Sequence, residues 1–150
     1  NEQVMKMLTE IGEIDNIEAY LQKAFANKEK IMGFGHRVYR KGDPRAKHLR
    51  EMSKQLTSIT GETKWYEMSL KIEKIIKEEK GLAPNVDFYS ASVYHSLGIE
   101  HDLFTPIFAM SRVSGWAAHI LEQYSDNRLI RPRAEYVGKT DQTYIPIEER

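Results

Sequence analysis

The chain has 150 residues, of which 41% are hydrophobic and 29% charged, with 22 Lys and Arg matched by 22 Asp and Glu and no cysteine. That is room for one ordinary domain with its own core, in a globular composition rather than a disordered one. The charge balance excludes a general nucleic-acid binder, which needs surplus positive charge to displace counterions. The missing cysteines exclude disulfides, thiolate metal sites and a cysteine nucleophile.

In chain order, Val4, Met7, Leu8 and Ile11 have helical spacing, and Gly12 can end that helix. Ile17, Tyr20, Leu21, Ala24 and Phe25 repeat the pattern, with Asp15 or Asn16 able to cap it. A glycine-bearing loop follows from Lys30 to Gly42. Asp43-Pro44 predicts a helix start, because Asp43 can accept backbone N–H bonds and Pro44 needs no N–H at the first helical position. That helix is expected to bury Leu49, Met52 and Leu56 and to stop at Gly61. A further helix is expected over about 62–80, with Tyr66, Leu70, Ile72, Ile75 and Ile76 on its apolar face. After Gly81 and a Pro84-Asn85 turn, Val86 to Leu97 reads as a helix. A last one begins near Thr105-Pro106 and runs to about Tyr124. The stretch 128–150 has two prolines and no helical period, and is expected to be extended and to lie against something else. The fold class expected is all-α. No apolar stretch approaches the roughly 20 residues needed to span a bilayer. A membrane role is not expected, and a cytoplasmic location is. Asn1-Glu2-Gln3-Val4 reads as a chain entered in mid-sequence.

Several side chains are candidates for chemistry. Gly33 and Gly35, one residue apart, let a backbone come close to a ligand, and Lys30, Arg37, Arg40, Lys41 and Arg45 crowd the same stretch. A helix–helix connection with solvated charges explains the same residues. A neutral His36 can polarise a carbonyl oxygen, or it can be a satisfied structural histidine. Arg45, in the first turn of a helix, can meet a carboxylate with two prongs, or lie on the surface. Arg112 interrupts a small and apolar run, which predicts either a bound ligand or a buried ion pair. Asp87 reads as a helix cap, with a carboxylate base as the alternative. The histidines show no metal-ligand spacing.

Taken together these positions are more specific. Gly33-Phe34-Gly35-His36-Arg37-Val38-Tyr39, followed by Asp43-Pro44-Arg45, resembles the signature loop of the citrate synthases and the related 2-methylcitrate synthases. Asn85-Val86-Asp87-Phe88-Tyr89-Ser90, Met110-Ser111-Arg112 and Arg131-Pro132-Arg133 follow in the family's order. The resemblance implies an enzyme that condenses acetyl-CoA, or propionyl-CoA in the 2-methylcitrate case, with oxaloacetate. Asp87 would remove the methyl proton and His36 would polarise the oxaloacetate carbonyl. Arg45, Arg112 and Arg131 would hold substrate carboxylates, Arg131 from the neighbouring subunit of a homodimer. Lys30, Ile31, Met32, Gly33, Phe34 and Gly35 would wrap the adenine end of coenzyme A, and Arg40 would meet its phosphates.

The resemblance further implies no metal and no tightly bound cofactor, with coenzyme A thioester as co-substrate. It implies a small domain over 1–97 and a carboxy-terminal part of a large domain over 98–150. The family's enol-stabilising histidine and most of the large domain are not in this sequence. The 150 residues by themselves are therefore expected to be an inactive fragment, lacking the amino-terminal half of the enzyme as partner. Phe104, Ile107, Phe108, Trp116, Ile120 and Leu121 are expected to show apolar surface that favours association. The reading from another class is a non-catalytic helical module that binds coenzyme A or a nucleotide.

Overall fold

A computed structural model describes all of residues 1–150. The chain is all-α: α1 (Glu2–Ile11), α2 (Ile17–Ala26), α3 (Pro44–Thr60), α4 (Lys64–Lys80), α5 (Val86–Ser96) and α6 (Phe104–Ser125), with short 3-10 turns at Ile14–Asn16, His101–Leu103 and Ile147–Glu149. The only strand-like pairing is one isolated antiparallel bridge between Phe34 and Pro84. The chain divides into two compact units, 1–113 and 114–150.

In the first unit the helical stripes read from the sequence meet in one core. Val4, Met5, Leu8 and Ile11 of α1, Ile17 and Leu21 of α2, and Met68, Ile72 and Ile76 of α4 surround Phe88, Tyr89 and Ala91 of α5. Each such aliphatic or aromatic side chain stabilises the fold by about 1.5–3 kcal/mol when fully buried. Helix α5 is the centre: every residue from Phe88 to Val93 is buried.

Helix α3 corrects one expectation. Its buried face is Ala46, Ser53 and Thr57, whereas Leu49 and Leu56 are half-buried and Met52 is 51% exposed. The reason is close packing on α5. Small residues let the two backbones approach, and Ser53 Oγ meets Ser92 Oγ at 2.8 Å in the interior. Thr57 Oγ1 donates to its own helix at Ser53 O (2.8 Å), so no hydroxyl is stranded there. Tyr89 of α5 donates its buried hydroxyl to Glu73 of α4, and burial followed by that carboxylate pushes the phenol's pKa upward.

Two features close the carboxy-terminal side of this unit. Phe104, expected at the surface, is fully buried against Tyr94, ring centroids 5.2 Å apart. His95 Nδ1 lies 3.1 Å from His101 Nε2, joining α5 to the turn before α6, and burial lowers the His95 pKa. Ile107 and Phe108 are half-buried.

The second unit has no buried residue. Trp116, Ile120 and Leu121 on the helix are each more than half exposed, as the sequence reading expected. From Leu129 to Pro146 the backbone has no regular element, which matches the extended tail read from its prolines. Its contacts are local: Arg128 pairs with Asp126 at 3.0 Å, and Arg150 Nε donates to Ile145 O at 2.9 Å. No helix of the chain is long and apolar enough to cross a membrane.

Candidate active site

The site is assembled where the loop between α2 and α3 crosses the turn between α4 and α5. Gly33 and Gly35 have φ of +85° and +77°, a region that side chains rarely adopt. Each side of the crossing is fastened. Asn85 N donates to Gly33 O (2.8 Å) and Gly35 N donates to Ala83 O (3.0 Å). The two glycines serve different ends. A Cβ on Gly33 would stand 2.8 Å from Phe88 Cδ2 and 2.9 Å from its Cβ, whereas one on Gly35 would meet nothing nearer than Leu82 Cδ2 at 4.0 Å. The close approach that the Gly-x-Gly spacing suggested is made at Gly33 by the chain's own α5.

His36 follows immediately. The backbone N–H groups of Val38 and Tyr39 both donate to its Nδ1, at 3.0 and 3.1 Å. Two donors on Nδ1 require a lone pair there, so the neutral ring carries its proton on Nε2. That is the tautomer able to donate to a substrate carbonyl. The ring is exposed and packs on Tyr39, centroids 4.6 Å apart, and the Arg45 guanidinium lies 5.7 Å from the other partner of that contact, the Tyr39 ring centroid.

Arg45 does form a two-pronged bond, but to the chain's own Asp43. Arg45 Nε donates to Asp43 Oδ1 (2.9 Å) and Nη2 to Oδ2 (2.7 Å). The same carboxylate caps α3 through Arg45 N (3.0 Å) and accepts from Val86 N in the first turn of α5 (3.0 Å). The Arg45 side-chain bonds, with help from these backbone N–H groups, hold the Asp43 carboxyl below the usual carboxylate range. Asp43 in turn holds the guanidinium more firmly protonated than usual, against the opposing effect of burial. The reciprocal pair leaves Arg45 Nη1 for a ligand.

Asp87 is not the cap. Asn85 caps α5, its Oδ1 accepting from Asp87 N at 2.9 Å, and the Asp87 carboxylate is left 43% exposed, with Asn1 N 3.6 Å from its Oδ1. The expectation of a capping aspartate missed because two residues of the right type, Asn85 and Asp87, stand at either side of the helix start. The residue with extended backbone just before the helix takes the role.

Two adjoining clefts result. One, of about 450 Å³, is lined by Lys30, Ile31, Met32, Gly33 and Phe34, with Asp87 and Asn85, and by Lys80 and Glu29. The other, of about 230 Å³, is lined by Gly35, His36, Tyr39, Arg40, Gly42 and Asp43. Asp87 thus shares one cleft with Lys30 to Phe34, and Gly35, His36 and Arg40 share the other, while Arg45 lines neither and is tied to the second through Asp43. Arg112 is not among the residues lining either cleft. It is exposed, with its guanidinium 5.5 Å from the Phe108 ring centroid, so the expected buried ion pair is absent. The helix presents that face outward, and a surface arginine stacked on an aromatic ring carries no desolvation penalty of the buried kind. Arg131 is exposed in the second unit. Asn85, Glu29 and Lys80 were not singled out in the sequence, although the Asn-x-Asp run after a proline carried the signal for the cap.

A loop with a tautomer-fixed histidine, a partly exposed carboxylate in the first turn of α5 and an arginine held by its own capping aspartate thus mark the loop-and-turn crossing of this all-α chain. Residues 1–133 match the family described as citrate synthase, C-terminal domain, and the chain belongs to the citrate synthase family. It is 73% identical over 150 residues to citrate synthase 2 of Bacillus subtilis, covering all of this chain and 40% of that protein. It is 49% identical over 144 residues to a citrate/2-methylcitrate synthase of the same organism, covering 95% of this chain and 39% of that one. Among solved structures, that of the Thermoplasma acidophilum citrate synthase in ternary complex with carboxymethyl coenzyme A and oxaloacetate superposes with a TM-score of 0.85 at 41% identity, over 99% of this chain and 41% of that one. The chain thus spans about 40% of the length of the curated relatives it matches.

Proposed function

We propose that the chain is the catalytic and coenzyme A-handling part of a citrate synthase, which condenses acetyl-CoA with oxaloacetate and water to give citrate and coenzyme A. The observation that carries this reading is the Asp87 carboxylate, relieved of capping by Asn85 and lining one cleft with Lys30 to Phe34. Asp87 takes a proton from the thioester methyl group. The electron pair released adds to the oxaloacetate ketone carbon, while His36 Nε2–H donates to the ketone oxygen. Water then cleaves the citryl thioester and frees the thiol. Arg45, Arg112 and Arg131 hold carboxylates, Arg131 reaching the neighbouring subunit's site in a homodimer. Residues 30–35 take the adenine end of coenzyme A and Arg40 its phosphates. The division follows the family: a small domain over 1–97, a large-domain part over 98–150, and the donor to the enol oxygen outside these residues, in a cytoplasmic enzyme. Propionyl-CoA, giving 2-methylcitrate, is the second reading, favoured by the relative named for both activities.

Thiol release measured with oxaloacetate and each thioester tests this. The full-length protein is expected to turn over and the 150 residues alone are expected to be silent. Asp87→Ala in the full-length protein should lower kcat by at least about a hundredfold. Coenzyme A binding that is lost in Gly35→Val, without turnover in the full-length protein, would replace the reading with a non-catalytic binding module.

A further inference from the structure

We infer that Asn85 is a positioning residue that sets the His36 loop and the Asp87 helix in register with each other. The inference rests on the condensing reading of those two groups. It stands on one side-chain amide used in both directions. Asn85 Oδ1 accepts from Asp87 N at 2.9 Å, fixing the first turn of α5, while Nδ2 donates to Gly35 O at 2.9 Å, on the residue directly before His36. The backbone of Asn85 adds a bond to Gly33 O at 2.8 Å.

The chemistry restricts which residue can do this. Aspartate and serine can cap a helix, but aspartate has no donor for the Gly35 carbonyl. A serine hydroxyl is too short to serve Asp87 N and Gly35 O together. Glutamine has both functions one methylene too far from the backbone and is a poor cap. Asparagine alone offers a donor and an acceptor at capping distance. The tie is half-buried and lines the Asp87 cleft, so it works at the place where the substrate would enter. A shift of the loop at Gly35 is passed to the peptide of Asp87 through two bonds on one rigid amide. Reacting groups displaced by about 1 Å can lose a hundredfold in rate, so a register error here is expressed in kcat.

The test uses the full-length protein with Asn85→Ser, Asn85→Asp and Asn85→Ala. Serine and aspartate keep a capping acceptor and lose the donor to Gly35; alanine loses both. In the first two, the melting temperature should stay within a few degrees of the parent while kcat falls by about tenfold to a hundredfold, with KM for the thioester changed by less than about threefold. Alanine should lower both melting temperature and kcat. Amide exchange at Val38 and Tyr39, the two donors to His36, should quicken by about tenfold or more in Asn85→Ser. Parent-like kcat in Asn85→Ser, or a kcat loss fully accounted for by a lower melting temperature, would overturn the inference. A parent protein without thiol release would sink the condensing reading instead. In that case unchanged exchange at Val38 and Tyr39 in Asn85→Ser would overturn the tie as well.

Discussion

Residues 33–45 with 83–88 and residues 114–150 are built on opposite principles. In the first region, irregular backbone is held by named hydrogen bonds: Asp43 alone receives Arg45 N, Nε and Nη2 and Val86 N. In the second, the helical part carries exposed Trp116, Ile120 and Leu121, and the tail shows Leu129, Val137 and Tyr144 to solvent. The contrast separates two kinds of information in a chain. Where polar groups are satisfied within the segment, geometry is fixed by local chemistry. Where apolar side chains have no cover, the segment carries a surface and little structure of its own.

Substitutions can sharpen that comparison. The largest effect is expected for Gly33→Ala, which adds backbone strain at φ +85° to a clash with Phe88. It should destabilise by about 3 kcal/mol in chemical denaturation. Gly35→Ala has the strain without the clash and should lose only about 1 kcal/mol. Equal losses at the two positions would break the distinction drawn between them.

Asp43→Asn comes next, at about 2 kcal/mol near pH 7, because one acceptor oxygen becomes an NH2 donor, which removes the bonds made to it and the ion pair with Arg45. Its pH dependence has a definite sign. Arg45 holds the Asp43 carboxyl below its unfolded value of about 3.9, so its contribution is complete above that value and is lost as the pH falls through the lowered folded one. The gap in stability between parent and variant should therefore close only in strong acid, below about pH 4. A gap that closed near neutrality would assign the stabilisation to another group. Val137→Ser in the tail should change stability by less than about 0.5 kcal/mol, since no buried contact is removed. A larger loss in the 150-residue chain would mean that the tail folds against its own surface.

Much of this was legible in the sequence. Glycines at 12, 61 and 81 ended helices where expected, and Asp43-Pro44 opened α3 as read. The period-based stripes of α1, α2 and α4 became the core. The misreadings have a common physical origin. Hydrophobicity alone places Met52 in the core, yet the α3–α5 contact selects small residues. For Arg112, whose small and apolar neighbours predict a bound ligand or a buried ion pair, exposure removes only the ion pair, since such neighbours also suit a helix face left open to solvent. Phe104 went the other way, since nothing in its own segment announces the Tyr94 ring that covers it. Asp87 as cap failed by two residues, a distance below the resolution of any periodicity. In the candidate site, loop and motif residues are readable, and the Asn-x-Asp run signals the cap that relieves Asp87, but the two bonds that fix the His36 tautomer are not encoded in any spacing.

Helix α5, buried at every position from Phe88 to Val93, has a consequence for the order in which the molecule loosens. Its amides can meet solvent only when the surrounding helices separate, so they report the global opening of the first unit, whereas the loop at 36–41 lies exposed and opens locally. On warming, His36 and Asp87 would come apart from the histidine end first. The carboxylate of Asp87 would still sit on an intact helix when His36 had already lost its orientation.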